Sequence, residues 1–143
     1  MLNLKELNRQ IIEEFHANAS KVGGRFEGQL LLLLTTTGAR SGQRHTIPLV
    51  YMPDGDRLII LASKNGAPTN PDWYHNLVAH PEVTVEVGSG NGTEFFEAIA
   101  TVITGEERGQ LFAKQVRMFP LFAELQTKTS RLLPVIALER IKS

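Results

Sequence analysis

The chain has 143 residues, fifteen Lys and Arg against fifteen Asp and Glu, and no cysteine. That length fits one domain with a core of its own and no covalent staples. The absent cysteines exclude disulfides, thiolate metal sites and a cysteine nucleophile, and zero net charge argues against nucleic acid as a partner.

Met1-Leu2-Asn3-Leu4-Lys5-Glu6 lacks the basic head and apolar stretch of a signal peptide, so a cytoplasmic protein is expected. Leu4, Leu7, Ile11, Ile12 and Phe15 recur at helical spacing, with Asn3 as the cap. The polar face of this helix mixes Lys5, Arg9, Glu13 and Glu14. Such a helix suits packing against a core, and it also leaves room for a peripheral membrane contact. Gln29–Thr37 reads as a strand; its Leu30–Leu34 segment is the longest apolar run, far below the roughly 18 residues of a membrane span. Arg44–Met52 and Arg57–Ala62 read as strands joined by the turn Pro53-Asp54-Gly55-Asp56, the strongest hairpin signal in the chain.

A loop over Ser63–Asn70 leads to a helix with Asn70 as cap and Pro71 at its first position. Val83, Val85 and Val87 alternate with polar residues as a half-buried strand, and Gly88–Gly92 turns the chain into a strand over Thr93–Ile103. Thr104-Gly105-Glu106-Glu107 has the form of a capping box for a helix over Glu106–Met118. A short helical piece after Pro120 and a strand over Val135–Ile141 complete the chain. Strands joined by hairpins and interrupted by helices predict an α+β fold, a mainly antiparallel barrel with helices packed outside.

The charge is unevenly placed although its sum is zero. Lys21, Arg25, Arg40 and Arg44 stand against Glu27 alone between Ser20 and Val50, while six glutamates stand against Arg108 between His80 and Gln110. A local basic patch suits a small anionic ligand better than a polymer, although solvated surface charge gives the same pattern. Thr35-Thr36-Thr37-Gly38-Ala39-Arg40-Ser41-Gly42 combines two glycines, hydroxyl donors and a guanidinium, the parts of an anion-binding turn. It has neither the Walker spacing nor the dinucleotide fingerprint, and taken alone it is equally a polar turn between strands. Ala62-Ser63-Lys64 followed by Asn70-Pro71-Asp72-Trp73-Tyr74-His75-Asn76 places a second set of donors beside a helix start. No Gly-x-Ser-x-Gly or His-Glu-x-x-His occurs, and His75 and His80 sit on divergent helix faces, so neither a serine hydrolase nor a metal site is expected.

Together with Pro48-Leu49, these two stretches are similar, in order and spacing, to the deazaflavin-dependent nitroreductase and quinone reductase family. The resemblance implies a split β-barrel of the flavin-mononucleotide-binding type, a single domain over 1–143. Residues 1–28 would form the N-terminal helix and its connection, and 29–143 the cofactor-binding core. It implies coenzyme F420 as cofactor and hydride transfer to a quinone, an activated alkene or a nitroaromatic. By resemblance, Ala39, Arg40 and Ser41 hold the phosphate region, and His45, Thr46, Ile47, Pro48, Leu49 and Val50 run beside the cofactor. Leu61, Ala62, Ser63 and Lys64, with Asp72, Trp73, Tyr74, His75 and Asn76, close round the deazaflavin. Ser63 and Lys64 are the candidate catalytic donors to developing negative charge, and charge alone assigns Lys21 and Arg25 to the glutamate tail.

Phe119 and Phe122 stand where nitroimidazole-activating members carry tyrosines, so they are read as acceptor-side walls that disfavour that substrate. An FMN-dependent oxidoreductase on the same barrel and a non-enzymatic deazaflavin or ligand carrier are the competing readings. The sequence leaves the oligomeric state open.

Overall fold

The structure, a computed structural model, describes residues 3–141; the side chain of Arg25 also lies outside that description, and with it the assignment of Arg25 to the glutamate tail. Four α-helices and seven strands are described: α1 (Leu4–Ala17), β1 (Leu31–Thr37), β2 (Arg44–Val50), β3 (Met52–Asp54), β4 (Arg57–Leu61), α2 (Asp72–Ala79), β5 (Glu82–Ser89), β6 (Gly92–Ile103), α3 (Gly105–Met118), α4 (Leu121–Thr127) and β7 (Val135–Arg140). The strands form one sheet in the order β2-β1-β5-β6-β7-β4-β3, every neighbouring pair antiparallel.

This order dictates the shape. β2 and β3 are the two edges of the sheet, yet Tyr51 alone separates them in the chain. The sheet must therefore curl until its edges meet at Tyr51. Pairing resumes on the far side with Met52 opposite Ile59, and runs through Pro53–Leu58 to Asp54–Arg57. The continuous strand expected over Arg44–Met52 is thus broken at Tyr51. Local β-propensity cannot reveal a residue at which a chain leaves one neighbour and joins another.

Side-chain alternation then sorts the apolar residues. Leu32 and Leu34, Val83, Val85 and Val87, Ala98 and Ala100, and Ile136 and Leu138 fill the barrel interior together with Ile60, Ala62 and Leu77. On the outer face, Leu31 and Leu33 pack under Phe15 of α1 and Val22. Ile59, Leu61, Val135 and Ala137 pack under Leu111, Phe122 and Leu125 of α3 and α4. The Leu-rich run of β1 fails to alternate because α1 covers its second face.

Two polar contacts fix the helices to the sheet. Glu86, only 4% exposed, points from β5 to the α1 side and accepts from Thr93 Oγ1 at 2.5 Å, with His16 Nε2 at 2.8 Å. Arg57 bridges the β3–β4 hairpin to α3 through Asp54 and Glu107, at 2.8 and 2.9 Å; both carboxylates hold its guanidinium above its ordinary pKa.

Two expected caps differ. Thr104 occupies the cap position of α3 but makes no side-chain capping bond. Gly105, at φ 67°, gives that turn a left-handed first residue, which displaces the reciprocal geometry a capping box needs. At α2 the cap residue is Pro71, because Asn70 is engaged elsewhere.

The face assignment makes a direct prediction. Leu34, inside β1, is fully buried, and Leu30, just before the strand begins, is 41% exposed. Leu34→Ala should lower unfolding free energy by about 2–5 kcal/mol, while Leu30→Ala should cost less than about 1 kcal/mol. Urea unfolding of the two variants reads the difference, and equal losses would contradict the placement of Leu34 in the barrel core.

Candidate functional site

Beyond Ile59, the curled sheet does not close. Ile60 and Leu61 pair with β7 on one side and have no strand on the other, and β2 pairs with β1 alone. A split therefore opens from Tyr51, with His45–Val50 as one lip and Leu61–Lys64 as the other. Because neighbouring strands alternate in direction, β1 and β4 run in the same sense, so the loops that follow them leave from the same end of the barrel. The two motifs singled out in the sequence are brought together there.

The loop after β1 is closed by Gly38 N–H donating to the Gln43 carbonyl at 2.7 Å and Gly42 N–H to the Gly38 carbonyl at 3.0 Å. Gly38 lets the turn close tightly: a Cβ there would stand 2.4 Å from Ser41 Oγ, which would have to rotate away, and 3.3 Å from the Gln43 carbonyl oxygen. Ser41 Oγ accepts from Gln43 N–H at 3.1 Å, which leaves its own proton to donate. The backbone N–H groups of Arg40 and Ser41, and the exposed Arg40 guanidinium, make no hydrogen bond among the described residues. Unspent N–H groups and a guanidinium on one turn are the donors that an anion-binding turn needs. Asn76 of α2 ties it to the other motif, accepting from Ala39 N–H at 3.0 Å and donating to Thr36 Oγ1 at 3.2 Å.

The opposite lip is held in a strained shape. Lys64, Asn65 and Gly66 have φ of 43°, 55° and 78°, three consecutive left-handed residues. Non-glycine residues in that region cost of order 1 kcal/mol or more each, and such strain persists only where the surroundings impose it. Here Arg131 imposes it. Its guanidinium donates to the carbonyls of Ala67 (2.8 Å), Ala62 (3.1 Å) and Ser63 (2.9 Å) and to Asn70 Oδ1 (2.6 Å). Asn70 is thereby withdrawn from capping α2. Partial burial lowers the Arg131 pKa, and an arginine so placed still carries its charge. Lys64 Nζ is spent only on Thr69 Oγ1 at 3.3 Å, and the Ser63 hydroxyl makes no hydrogen bond among the described residues. Both are available to a ligand.

The remaining candidates divide by side. Ile47, Leu49, Trp73 and Tyr74 are half-buried against the barrel interior, while Asp72 and His75 are exposed at the mouth; the Tyr74 and His75 rings meet edge-on at 5.5 Å. Thr46 faces the α1 side, where its hydroxyl is hydrogen-bonded to Thr35 at 2.7 Å. Phe119 and Phe122, edge-to-face at 4.8 Å, sit outside the apex of the split. They share a narrow groove with Val50, Tyr51, Met52, Ile59, Gln115 and Met118.

A larger cavity of about 210 Å³ lies between α1 and the outer sheet face, lined by Ile12, His16, Leu33, Thr35, Thr46, Thr84, Glu86 and Phe95. Its polar groups are already paired: Thr35 with Thr46, Glu86 with His16 and Thr93, and Thr84 with Arg44 and Glu97. The Glu86 carboxylate also repels an anion. The donors of the split, by contrast, are unspent. Among the described residues, no group of three or more His, Cys, Asp or Glu could hold a metal ion, and no helix is long and apolar enough to cross a membrane.

Sequence reasoning missed Arg131, Tyr51 and Gln115. Nothing local marks Arg131, whose partners lie 61 to 69 residues away.

The chain is similar to known proteins over most of its length. The family model described as F420H(2)-dependent quinone reductase matches residues 7–140. The F420H(2)-dependent quinone reductase Rv1261c of Mycobacterium tuberculosis is 35% identical over 130 residues, covering 88% of this chain and 85% of that protein. Two solved structures are similar. An F420-H2 dependent reductase (FDR-A) has TM-score 0.67 and 38% identity, covering 76% of this chain and 93% of its own. A domain-swapped dimer has TM-score 0.69 and 33% identity, with coverages of 93% and 96%.

If Arg131 imposes the lip, Arg131→Met should lower stability by about 2–3 kcal/mol, since charge-assisted bonds to buried carbonyls are lost together. Amide exchange should accelerate over Ser63–Asn70 more than in the barrel strands. Uniform acceleration, or none at that loop, would show that Arg131 does not shape it.

Proposed function

The chain belongs to the F420H(2)-dependent quinone reductase family, and from that premise we propose that the split of its barrel is where coenzyme F420 lies and where a quinone is reduced. The family membership makes the chain an F420H2-dependent oxidoreductase with a split-barrel fold, and coenzyme F420 its cofactor. The observation that carries the placement is the set of unspent donors on both sides of one cleft: the Arg40 and Ser41 N–H groups, the Arg40 guanidinium, the Ser63 hydroxyl and Lys64 Nζ.

These residues fit the cofactor's chemistry. Its tail is anionic, with a phosphodiester and glutamates, and the Ala39–Ser41 turn offers the matching donors. Its head is a planar tricycle, and Trp73, Tyr74, Ile47 and Leu49 supply a half-buried apolar surface at the mouth. The β2 lip adds backbone N–H and C=O groups that no other strand takes up.

When bound in its reduced form, coenzyme F420 supplies a hydride, two electrons together. The protein's share is position and charge. Asn76 and Arg131 hold the two loops in fixed relation, so that donors are aimed before any ligand arrives. Ser63 and Lys64 stand at the open end of β4, where a hydroxyl and an ammonium stabilise negative charge as it develops on a reacting oxygen. Phe119 and Phe122 bound the acceptor side. The half-buried Phe119, backed edge-on by the buried Phe122, supplies ring surface without a hydroxyl, which suits a flat lipophilic quinone and disfavours a nitroimidazole, whose reduction needs a donor close to the reacting ring. Leu4, 70% exposed at the start of α1, supports a peripheral lipid contact that would bring such an acceptor near.

The experiment is a paired measurement on purified protein. F420 titrated by fluorescence should bind, and Arg40→Ala should weaken binding by about 1.5–3 kcal/mol, roughly ten- to a hundredfold. The wild-type protein should oxidise F420H2 with menadione and turn over bicyclic nitroimidazoles poorly. Unchanged affinity in a folded Arg40→Ala variant would remove the turn from the site. Vigorous nitroimidazole reduction would remove the acceptor assignment.

A further inference from the structure

At the apex of the split a buried carboxamide has no partner. Gln115, in the last turns of α3, is 2% exposed, its Oε1 is fully enclosed, and no atom of its side chain makes a hydrogen bond among the described residues. Buried polar groups are nearly always paired, and an unpaired one is destabilising unless something else completes it. The burial itself has a clear origin, because Gln115 lies on the face of α3 that packs toward the sheet, one turn beyond Leu111. An apolar residue of that size would satisfy the packing at no polar cost.

Its surroundings are selective. The groove that Gln115 lines runs between Val50, Tyr51 and Met52 on one side and Met118, Phe119 and Phe122 on the other. Tyr51 is the other polar residue of that set, but its ring packs with the barrel-interior cluster, so Gln115 supplies the polar side chain of the groove. The groove is too narrow for a ring; it has room for about one small heteroatom. The carboxamide can turn over to present either Oε1 or Nε2 in the same volume.

We propose that Gln115 is an acceptor-binding residue: its Nε2–H receives one carbonyl oxygen of a quinone whose ring lies against Phe119 at the apex of the split. This rests on the reading of the split as the site of reduction. The quinone takes up a hydride from the reduced cofactor and a proton from solvent, becoming the quinol as the cofactor is oxidised. Gln115 changes neither charge nor protonation. It fixes which oxygen is buried and stabilises the negative charge that oxygen gains as electrons arrive. An acceptor without such an oxygen leaves the amide orphaned, so the site discriminates by hydrogen bonding as well as by shape.

The test uses the F420-loaded protein and two apolar replacements of similar volume, Gln115→Leu and Gln115→Met. Menadione affinity is measured by calorimetry on the oxidised complex, kcat/KM for menadione with F420H2, F420 affinity by fluorescence, and the melting temperature of each variant. The expected result is a fall of about ten- to a hundredfold in menadione affinity and kcat/KM, with F420 affinity within twofold of wild type. The melting temperature should be unchanged or raised, because an unpaired buried amide has been removed. Unchanged menadione affinity in either folded variant would overturn the inference. So would a loss accompanied in both variants by lowered melting temperature and weakened F420 binding, which is the signature of a packing role. If the wild-type protein binds menadione in a Gln115-dependent way but does not oxidise F420H2 with it, the reduction reading fails and the binding assignment stands.

Discussion

Tyr51 is the constraint on which the molecule turns. A single residue joins two strands that lie at opposite edges of a seven-stranded sheet, and that connection forces the sheet to curl. It also forces the curl to be incomplete. β3 extends for only three residues, so pairing with β4 stops at Ile59 and the edges diverge beyond it. The cleft is not a pocket left over from packing; it is the unpaired remainder of a barrel that closes at one end. Edge strands normally expose their backbone groups at the risk of aggregation. Here two such edges face one another, where a planar ligand can use them.

Two polar side chains make that cleft a defined object. Asn76 joins the turn after β1 to α2, and Arg131 gathers three carbonyls and the Asn70 side chain from the loop after β4. Both act on backbone, so the lips are set before ligand arrives and little ordering remains to be done on binding. Strain at Lys64 and Asn65 is the counterpart of that arrangement. It aims Ser63 and Lys64 at the open end of the split, at an energy the Arg131 network offsets.

How much of this was legible in the sequence depended on range. The helical spacing of Leu7, Ile11 and Phe15 and the alternation of Val83, Val85 and Val87 are local signals, and each became the expected element; the hairpin before Arg57 also formed, but with Pro53 and Asp54 in β3 rather than in the turn and its first strand cut at Tyr51. The Gly38–Gly42 turn was legible as a tight, donor-rich turn because glycine and hydroxyl chemistry act within a few residues. The breaks came where a distant partner decides. Asn70 reads as a helix cap until Arg131 takes it, and Thr104 reads as half of a capping box until Gly105 adopts a left-handed conformation. The end of pairing at Tyr51 and the isolation of Gln115 are properties of the closed sheet and of no sequence window. Family resemblance brought Leu61–Lys64 and His45–Val50 together as candidates; the topology supplies the physical reason, as opposite lips of one split.

The central claim is that the split, and not the larger cavity under α1, receives the cofactor. Hydrogen–deuterium exchange with and without saturating coenzyme F420 tests it directly. The account predicts protection concentrated at 39–41, 45–50, 61–64 and 72–76, with the α1–sheet contact at His16 and Glu86 unchanged. Protection centred on α1 and the outer faces of β5 and β6, with the two lips unaffected, would contradict it.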